Sequence, residues 1–259
     1  MIVLGDVHRR WEDVAGMIDR AGLRGRTIIQ VGDFGLGFGP PDRERQQLAV
    51  LGAALSRRGN RLLVVRGNHD DPALFRARTE LAGGAIRLAP DYSVDIVEGQ
   101  KVFLAGGATS VDRKLRHAGR SYWPDEAFSF DQARLDTLDL DGLQAVITHT
   151  APGIAPPSID DQGRLVAGAL PEPPTGFRTA LSRLYARDEA LAGDVFAERR
   201  ALDALYRAIR VRGPIPHWIY GHFHHHIIAT HDGARFTMLG ELQLLEIEAS
   251  PLAGVPPVF

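Results

Sequence analysis

Five short polar clusters constrain the fold of this chain more than any other feature, because each lies beside a short apolar run. The clusters are Gly5-Asp6-Val7-His8, Gly32-Asp33, Gly67-Asn68-His69-Asp70, Thr148-His149-Thr150-Ala151-Pro152 and Gly221-His222-Phe223-His224. Short apolar runs bounded by turn residues are typical of buried strands. Many α/β proteins place their chemistry at strand ends. We therefore expect the five clusters to meet at the edge of a sheet.

The first third of the chain alternates strands with helices. Strands are predicted at Ile2–Leu4, Thr27–Val31 and Leu62–Val65, and helices at about Trp11–Ala21 and Asp42–Arg57. This alternation predicts a parallel sheet with crossover connections. Parallel strands end at one edge, so the pattern favours close approach of Asp6, Asp33 and Asn68.

After Asp70 the pattern changes to short strands separated by turns. A helix is predicted at about Asp131–Leu138. Strands are predicted at Ile86–Leu88, Ser93–Val97, Lys101–Ala105, Ala145–Thr148 and His217–Tyr220, followed by antiparallel strands at Ile227–Thr230, Phe236–Leu239 and Leu244–Ile247.

About seventy residues separate His149 from His222, more than a simple crossover needs. Prolines make the first part irregular, and amphipathic helices are predicted at Ala180–Leu191 and Val195–Ile209. We interpret residues 151–214 as a lid or insertion over one rim of the site within a single domain of residues 1–259. An ordinary surface excursion that closes the sheet is the alternative.

Composition excludes several classes of protein. The 30 basic and 32 acidic residues give a net charge of -2, which argues against a strongly basic nucleic-acid binder. The chain has no cysteine, so disulfides and thiolate metal sites are excluded. No apolar run reaches about 18 residues, the length that a membrane span needs. We expect a cytoplasmic protein without a signal peptide, since no basic segment precedes an apolar one.

The residue types in the clusters suit a metal site. Asp6 and His8 converge on one ion if their loop curls, although a polar turn is the alternative. Asp33 alone is more typical of a turn or cap. In an extended segment His222 and His224 project to the same side. Together with His149, these carboxylate and imidazole groups suit Mn, Fe, Zn or similar ions.

The cluster Gly67-Asn68-His69-Asp70 allows several roles. Asn68 offers an amide oxygen to a cation, and His69 is either a ligand or a proton donor. Asp70 either orients a histidine or caps the helix that begins near Pro72, and both roles are compatible.

In their joint order, the five clusters resemble the calcineurin-like metallophosphoesterase superfamily. The resemblance extends from Asp6 to His224, and the form Gly32-Asp33-Phe34-Gly35 is similar to small bacterial and phage members. Arg9 and Phe34-Gly35 depart from the protein Ser/Thr phosphatase branch. The resemblance implies an α/β fold, a four-layer α/β/β/α sandwich in which helices flank two mixed sheets.

The resemblance also implies a binuclear metal centre, with Mn²⁺ expected and Fe, Zn, Co, Ni or Mg as alternatives. Asp6, His8, Asp33 and His224 would hold one ion, and Asp33, Asn68, His149 and His222 the other. His69 would protonate the leaving oxygen or stabilise the transition state, with Asp70 orienting it, while a metal-bridging hydroxide attacks phosphorus in line.

The expected function is a metal-dependent phosphoesterase, a hydrolase, acting on a phosphomonoester. A phosphodiesterase acting on small or cyclic nucleotides or nucleic acid is the main alternative, and a non-catalytic scaffold with this fold is another. Arg113 and Arg116 either bind the substrate phosphate or belong to a solvated basic loop. The expected partner is a phosphorylated substrate, with neither a membrane nor nucleic acid.

Overall fold

In the computed structural model, which describes residues 1–77, 80–158, 160 and 183–248, the strands form two six-stranded sheets. Strands are numbered in chain order. The first sheet contains β1 (Ile2–Leu4), β2 (Thr27–Gln30), β3 (Arg61–Val64), β4 (Glu80–Leu81), β5 (Ile86–Leu88) and β12 (Leu244–Glu246). The second contains β6 (Ser93–Val97), β7 (Gln100–Ala105), β8 (Leu143–Thr148), β9 (His217–Tyr220), β10 (Ile227–His231) and β11 (Ala234–Met238).

The helices are α1 (Trp11–Arg20), α2 (Pro41–Arg57), α3 (Pro72–Arg76), α4 (Gln132–Asp136) and α5 (Leu191–Arg210). Residues 183–187 are also helical. Among the described residues, no helix has both the length and the apolar character needed to cross a membrane.

Three buried clusters show how the layers stack. Successive side chains of a strand point to opposite faces, so Ile2 and Leu4 pack towards α1 and α2 while Val3 packs between the sheets. Ile29 and Ile147 also lie between the two sheets, one from each.

On the outer face of the second sheet, α5 packs its Leu202 and Leu205 against Val146, Trp218 and Phe236. The order is therefore helix, sheet, sheet, helix, and the predicted four-layer sandwich with two mixed sheets is confirmed.

The strand ends meet as the alternation predicts. β1, β2 and β3 are parallel, with Ile2 paired to Ile28 and Ile28 to Leu62. In the second sheet β8 and β9 are parallel as well. The polar clusters that follow these five strands therefore emerge at the same edge of each sheet.

The last strand differs from the sequence-based expectation. Leu244–Ile247 was grouped with the two preceding strands, yet β12 crosses to the first sheet and pairs antiparallel with β1. β11 in turn pairs in parallel with β9. Alternation along a strand specifies which face is buried but not which strand is its partner.

Two helical segments also differ from their predicted lengths. Asp131 accepts a hydrogen bond from the Arg134 amide as the N-cap of α4, which ends at Asp136. The second predicted amphipathic helix lies within the longer α5. Of the helix predicted at Ala180–Leu191, residues 180–182 lie outside the described residues, as do 159 and 161–182 of the segment interpreted as a lid.

Candidate metal centre

The seven predicted metal ligands lie together where β1, β2, β3, β8 and β9 end. They form two groups that share Asp33, and in each the His and carboxylate donor atoms lie within 4.8 Å of one another. The outer group consists of Asp6, His8, Asp33 and His224. The inner group consists of Asp33, His149 and His222, and we include Asn68, whose Oδ1 lies 3.1 Å from His149 Nε2.

In the inner group, His149 is fixed in orientation by the backbone. Its Nδ1 lies 3.0 Å from the Val31 carbonyl oxygen, which only accepts, so Nδ1 carries the hydrogen. Nε2 then faces Asp33 Oδ1 at 3.1 Å. Proteins commonly orient a metal-binding histidine by a hydrogen bond from the ring nitrogen that does not bind the metal, which here is Nδ1.

Asn68 is oriented by a buried relay of side chains. Its Nδ2 donates to Ser110 Oγ at 3.0 Å, which leaves Oδ1 turned towards His149. The Ser110 amide donates to Glu126 Oε1 at 2.7 Å. Burial raises the pKa of Glu126 to about 7. Sequence analysis missed both Ser110 and Glu126, since neither lies near a strand-end cluster.

The outer group is more open to solvent. The side chains of His8 and His224 are 22% and 41% exposed. His224 Nε2 lies 3.3 Å from Asp6 Oδ2, and its Nδ1 lies 3.1 Å from Oε1 of the exposed Glu241. Glu241, which sequence analysis also missed, supports the outer group in the way that Ser110 supports the inner one.

Four of the candidate ligands have left-handed backbone conformations. The φ angles are 47° at His8, 59° at Asp33, 67° at His222 and 56° at His224. Such a conformation costs about 1–3 kcal/mol at a residue other than glycine and clusters at functional sites. His222 and His224 therefore reach the same site through a tight turn, and not through the extended segment from which their convergence is predicted.

Two glycines allow the carboxylates to approach the backbone of neighbouring strands. A Cβ at Gly221 would lie 1.9 Å from Asp6 Oδ1, and one at Gly67 would lie 2.1 Å from Asp33 Oδ1. Both distances are far below contact, so any side chain there would displace a candidate ligand. The glycine in each of these clusters is a steric requirement of the site.

The donors fit divalent cations. Asp6 Oδ1 is buried and has no hydrogen-bond partner in the part of the chain that the structure describes, an arrangement that is costly unless a cation satisfies it. His8 Nε2 and His224 Nε2 lie 3.0 Å apart, so two nitrogen atoms that can bind a metal face each other. Burial alone would raise the pKa of Asp33, but His149, His69 and His8 hold it well below its usual value.

His69 lies beside the two groups without belonging to either. Its Nε2 is 4.0 Å from Asp33 Oδ2 and 2.5 Å from Arg116 Nη2. The ring stacks on Phe38 with centroids 5.4 Å apart, and Trp123 packs edge-on against Phe38. Burial lowers the pKa of His69 to about 4. A guanidinium only donates, so Nε2 is the acceptor in this arrangement.

In the described part of the chain, Asp70 neither hydrogen-bonds to a histidine ring nor caps the helix near Pro72, the two roles expected for it from the sequence. Its carboxylate accepts hydrogen bonds from the backbone amides of Phe34, Gly35, Leu36 and Gly67. Asp71, rather than Asp70, caps α3 by accepting from the Ala73 amide. Asp70 therefore joins the loops that follow β2 and β3, and it supports His69 through the backbone rather than through the imidazole.

The two arginines proposed for phosphate binding lie in different surroundings. Arg116 lines the cavity beside His69 and pairs with Asp112 at 2.7 Å. Arg113 pairs instead with Asp188 and Asp194, at 2.5 and 2.6 Å. Acidic residues about 80 positions later in the chain engage the Arg113 guanidinium, and Arg113 is not among the residues that line this cavity.

A cavity of about 310 Å³ adjoins both ligand groups. Its polar side contains ligands of both groups together with His69 and Arg116. Its lining also includes five residues with largely apolar side chains, called the apolar wall below: Val111, Leu184, Tyr185, Val195 and Phe223. The described part of residues 151–214 thus contributes directly to the site.

A family model described as calcineurin-like phosphoesterase matches residues 1–226. No curated protein matches the sequence significantly. A solved structure of phosphopantetheinyl hydrolase (PptH) from Mycobacterium tuberculosis is 16% identical, covers 93% of this chain and 89% of its own, and has a TM-score of 0.46. A predicted phosphoesterase from Streptococcus pneumoniae TIGR4 is 12% identical, covers 93% and 72%, and has a TM-score of 0.29.

Proposed function

The chain belongs to the calcineurin-like phosphoesterase family, and from this premise we propose that it hydrolyses phosphate monoesters with two divalent ions bound. Membership makes it a metal-dependent phosphoesterase; the monoester preference and the residue roles are our proposal. One observation carries it: two ligand groups share Asp33, and the non-ligand His69 and Arg116 face the same cavity.

The inner and outer groups are the proposed metal ligands. Their carboxylate, amide and imidazole donors suit Mn²⁺ well. Bound divalent ions would supply a water nucleophile at neutral pH and would offset charge on the phosphate.

His69 is the proposed proton donor to the leaving oxygen. In the substrate-free site, burial and the contact with Arg116 favour its neutral form. A phosphate that accepts the guanidinium hydrogen bonds would release His69 Nε2 and, being negatively charged, would favour its protonation. The imidazolium would then be placed to donate to the departing oxygen.

Arg116 supports a monoester over a diester. A phosphomonoester carries up to two negative charges at neutral pH, whereas a diester carries one. A guanidinium beside the two metal positions matches the more highly charged group. A diester would also need room for a second ester arm, and about 310 Å³ is small for a ligand pocket.

The test is turnover by protein loaded with Mn²⁺. We expect hydrolysis of 4-nitrophenyl phosphate to be about 10-fold or more faster than that of bis(4-nitrophenyl) phosphate, a difference of about 1.4 kcal/mol in barrier. Equal or faster cleavage of the diester would favour the phosphodiesterase. If no ester is hydrolysed with Mn²⁺, Fe²⁺, Zn²⁺, Co²⁺, Ni²⁺ or Mg²⁺, the result would favour a non-catalytic scaffold with this fold.

The role of His69 has its own test. His69→Ala should reduce kcat by about 10²–10⁴-fold, as expected for loss of a general acid, while metal content is retained. The loss should be larger for phenyl phosphate than for 4-nitrophenyl phosphate, because phenolate is the poorer leaving group. His117→Ala, at an exposed histidine in the same loop as Arg116, is the matched control. Equal losses for both esters would contradict proton donation.

A further inference from the structure

We propose, resting on the phosphomonoesterase function above, that the site selects esters whose leaving group is apolar. The feature that carries this inference is the apolar wall, which lines the same cavity as the candidate metal ligands. With the phosphate held at the metal positions, the organic part of the ester has to extend along this wall.

The wall comes from four separate parts of the chain. Val111 lies in the loop after β7, and Leu184 and Tyr185 lie in the helical residues 183–187. Val195 belongs to α5, and Phe223 follows β9. All five side chains are only partly buried, so the described structure leaves apolar surface available to a ligand.

Phe223 and Arg199 hold the wall in place. The Phe223 ring lies 4.8 Å from the ring of His222 and 5.6 Å from the Arg199 guanidinium carbon. Arg199 Nη2 donates to the carbonyl oxygens of Pro152, Ala155 and Pro157. These contacts attach α5 to the loop after β8, so the wall exists before a ligand binds, which lowers the cost of binding.

A polar leaving group would meet one hydroxyl at this wall, that of Tyr185, and otherwise apolar side chains. A hydroxyl that is buried against apolar side chains loses its water without replacement, and this disfavours binding. Glu198, which also lines the cavity, already accepts from the Thr109 hydroxyl and the Phe128 amide. A sugar or polyol phosphate would therefore bind less well than an aryl or alkyl phosphate of similar size.

Arg199 raises one rival interpretation, an acidic leaving group. Its Nε and Nη1 have no hydrogen-bond partner among the described residues. However, the residue is only 1% exposed and its guanidinium faces the Phe223 ring. The surface that a ligand meets is therefore the apolar wall, and an acidic analogue tests the rival directly.

The experiment measures binding of non-hydrolysable phosphonates to the Mn²⁺-loaded full chain by titration calorimetry. Benzylphosphonate should bind about 10-fold or more tightly than methylphosphonate, since apolar pockets discriminate by this factor or more for small groups. It should also show the more negative heat-capacity change. 3,4-Dihydroxybutylphosphonate, a polar analogue, and 2-carboxyethylphosphonate, an acidic one, should both bind more weakly than benzylphosphonate.

Variants locate the effect. Val195→Asn and Val111→Asn, on separate elements, should each reduce the ratio of benzylphosphonate to methylphosphonate affinity about 10-fold. Because the two variants lie on separate elements, the test still works if one of them fails to fold. Val211→Asn, at a valine that is 84% exposed just beyond α5, is the matched control and should leave the ratio unchanged.

Equal binding of the benzyl and polar analogues would overturn the inference, and so would tighter binding of the acidic one. Either result in a protein that hydrolyses esters leaves the proposed function intact. Conversely, a protein that prefers benzylphosphonate but hydrolyses no ester would contradict the proposed function and keep the apolar site.

Discussion

The inner and outer ligand groups contain similar donors in different surroundings. Asp33, Asn68 and His149 of the inner group are buried, and their orienting partners are a backbone carbonyl and the Ser110 hydroxyl. The outer group includes the partly exposed His8 and His224, with the exposed Glu241 as a partner. Preorganised buried donors lose less freedom when an ion binds. We therefore predict that the inner position holds its ion more tightly and exchanges it more slowly.

The largest effect is expected at the one residue that both groups share. Asp33→Asn removes a buried carboxylate from both positions, so we expect loss of both ions by elemental analysis. The proposed hydrolysis should slow by about 10³-fold or more, because charge stabilisation at both positions is lost. Asp13→Asn, at an exposed carboxylate in α1, is the matched control. Two tightly bound ions in the Asp33→Asn protein would contradict the shared role.

Removing one histidine from each group tests the difference between them. In metal-free protein, His149→Ala breaks a buried pair with Asp33 and should lower the free energy of unfolding by about 3–5 kcal/mol. His224→Ala, at a partly exposed residue, should lower it by less than about 1 kcal/mol. Denaturant unfolding measures both values. Mn²⁺ titration of His224→Ala should still show one tight site, the inner one. Loss of the tight site in this variant would show that the outer group is the tighter of the two.

The supporting residues provide a milder version of the same comparison. Ser110→Ala frees the Asn68 amide and should weaken the inner ion by about 10-fold, the lower end for residues that orient ligands. Glu241→Gln should weaken the outer ion by only about 2–3-fold, since exposed charges are screened by solvent and salt. Competition with a chelator at two salt concentrations measures both. A larger effect from Glu241 would show that exposure does not separate the two positions.

Behind the metal ligands, the buried Glu126 should make the stability of the protein depend on pH. Burial raises the pKa of Glu126 from 4.5 to about 7, so the folded state keeps its proton longer than the unfolded chain does. By linkage, the Glu126 carboxyl makes its full contribution to the stability of the folded state below about pH 4.5. This contribution is lost as the pH rises through 7. In metal-free protein, Glu126→Gln should flatten the fall in unfolding free energy between pH 5 and 7.5 by about 1–3 kcal/mol. An unchanged slope would contradict the raised pKa.

Much of the architecture follows from local patterns. Trp11, Val14 and Ile18 recur at helical spacing, and all three are buried on the inner face of α1. The apolar runs before Asp6, Asp33 and Asn68 are buried parallel strands. Local sequence encodes these features because periodicity states which face of an element is buried.

The supporting residues of the site could not be found in this way. Ser110 is 42 positions from Asn68, and Glu241 stands in a turn with no strand-end pattern. The ion pairs of Arg113 are hidden from local patterns for the same reason, since packing of α5 and the segment before it brings Asp188 and Asp194 to this arginine. Such contacts depend on which elements are neighbours, and local patterns do not specify that.

The sequence by itself determined the α/β alternation and the strand-end positions of the seven candidate ligands. Only the tertiary structure decided that His8, Asp33, His222 and His224 adopt left-handed conformations, and that the ligands form an inner group and a more exposed outer group. It also decided that Asp70 binds backbone amides and that an apolar wall lines the cavity of the site. The physical reason is that composition and periodicity encode burial within one element, whereas side-chain orientation depends on contacts between elements far apart in the chain.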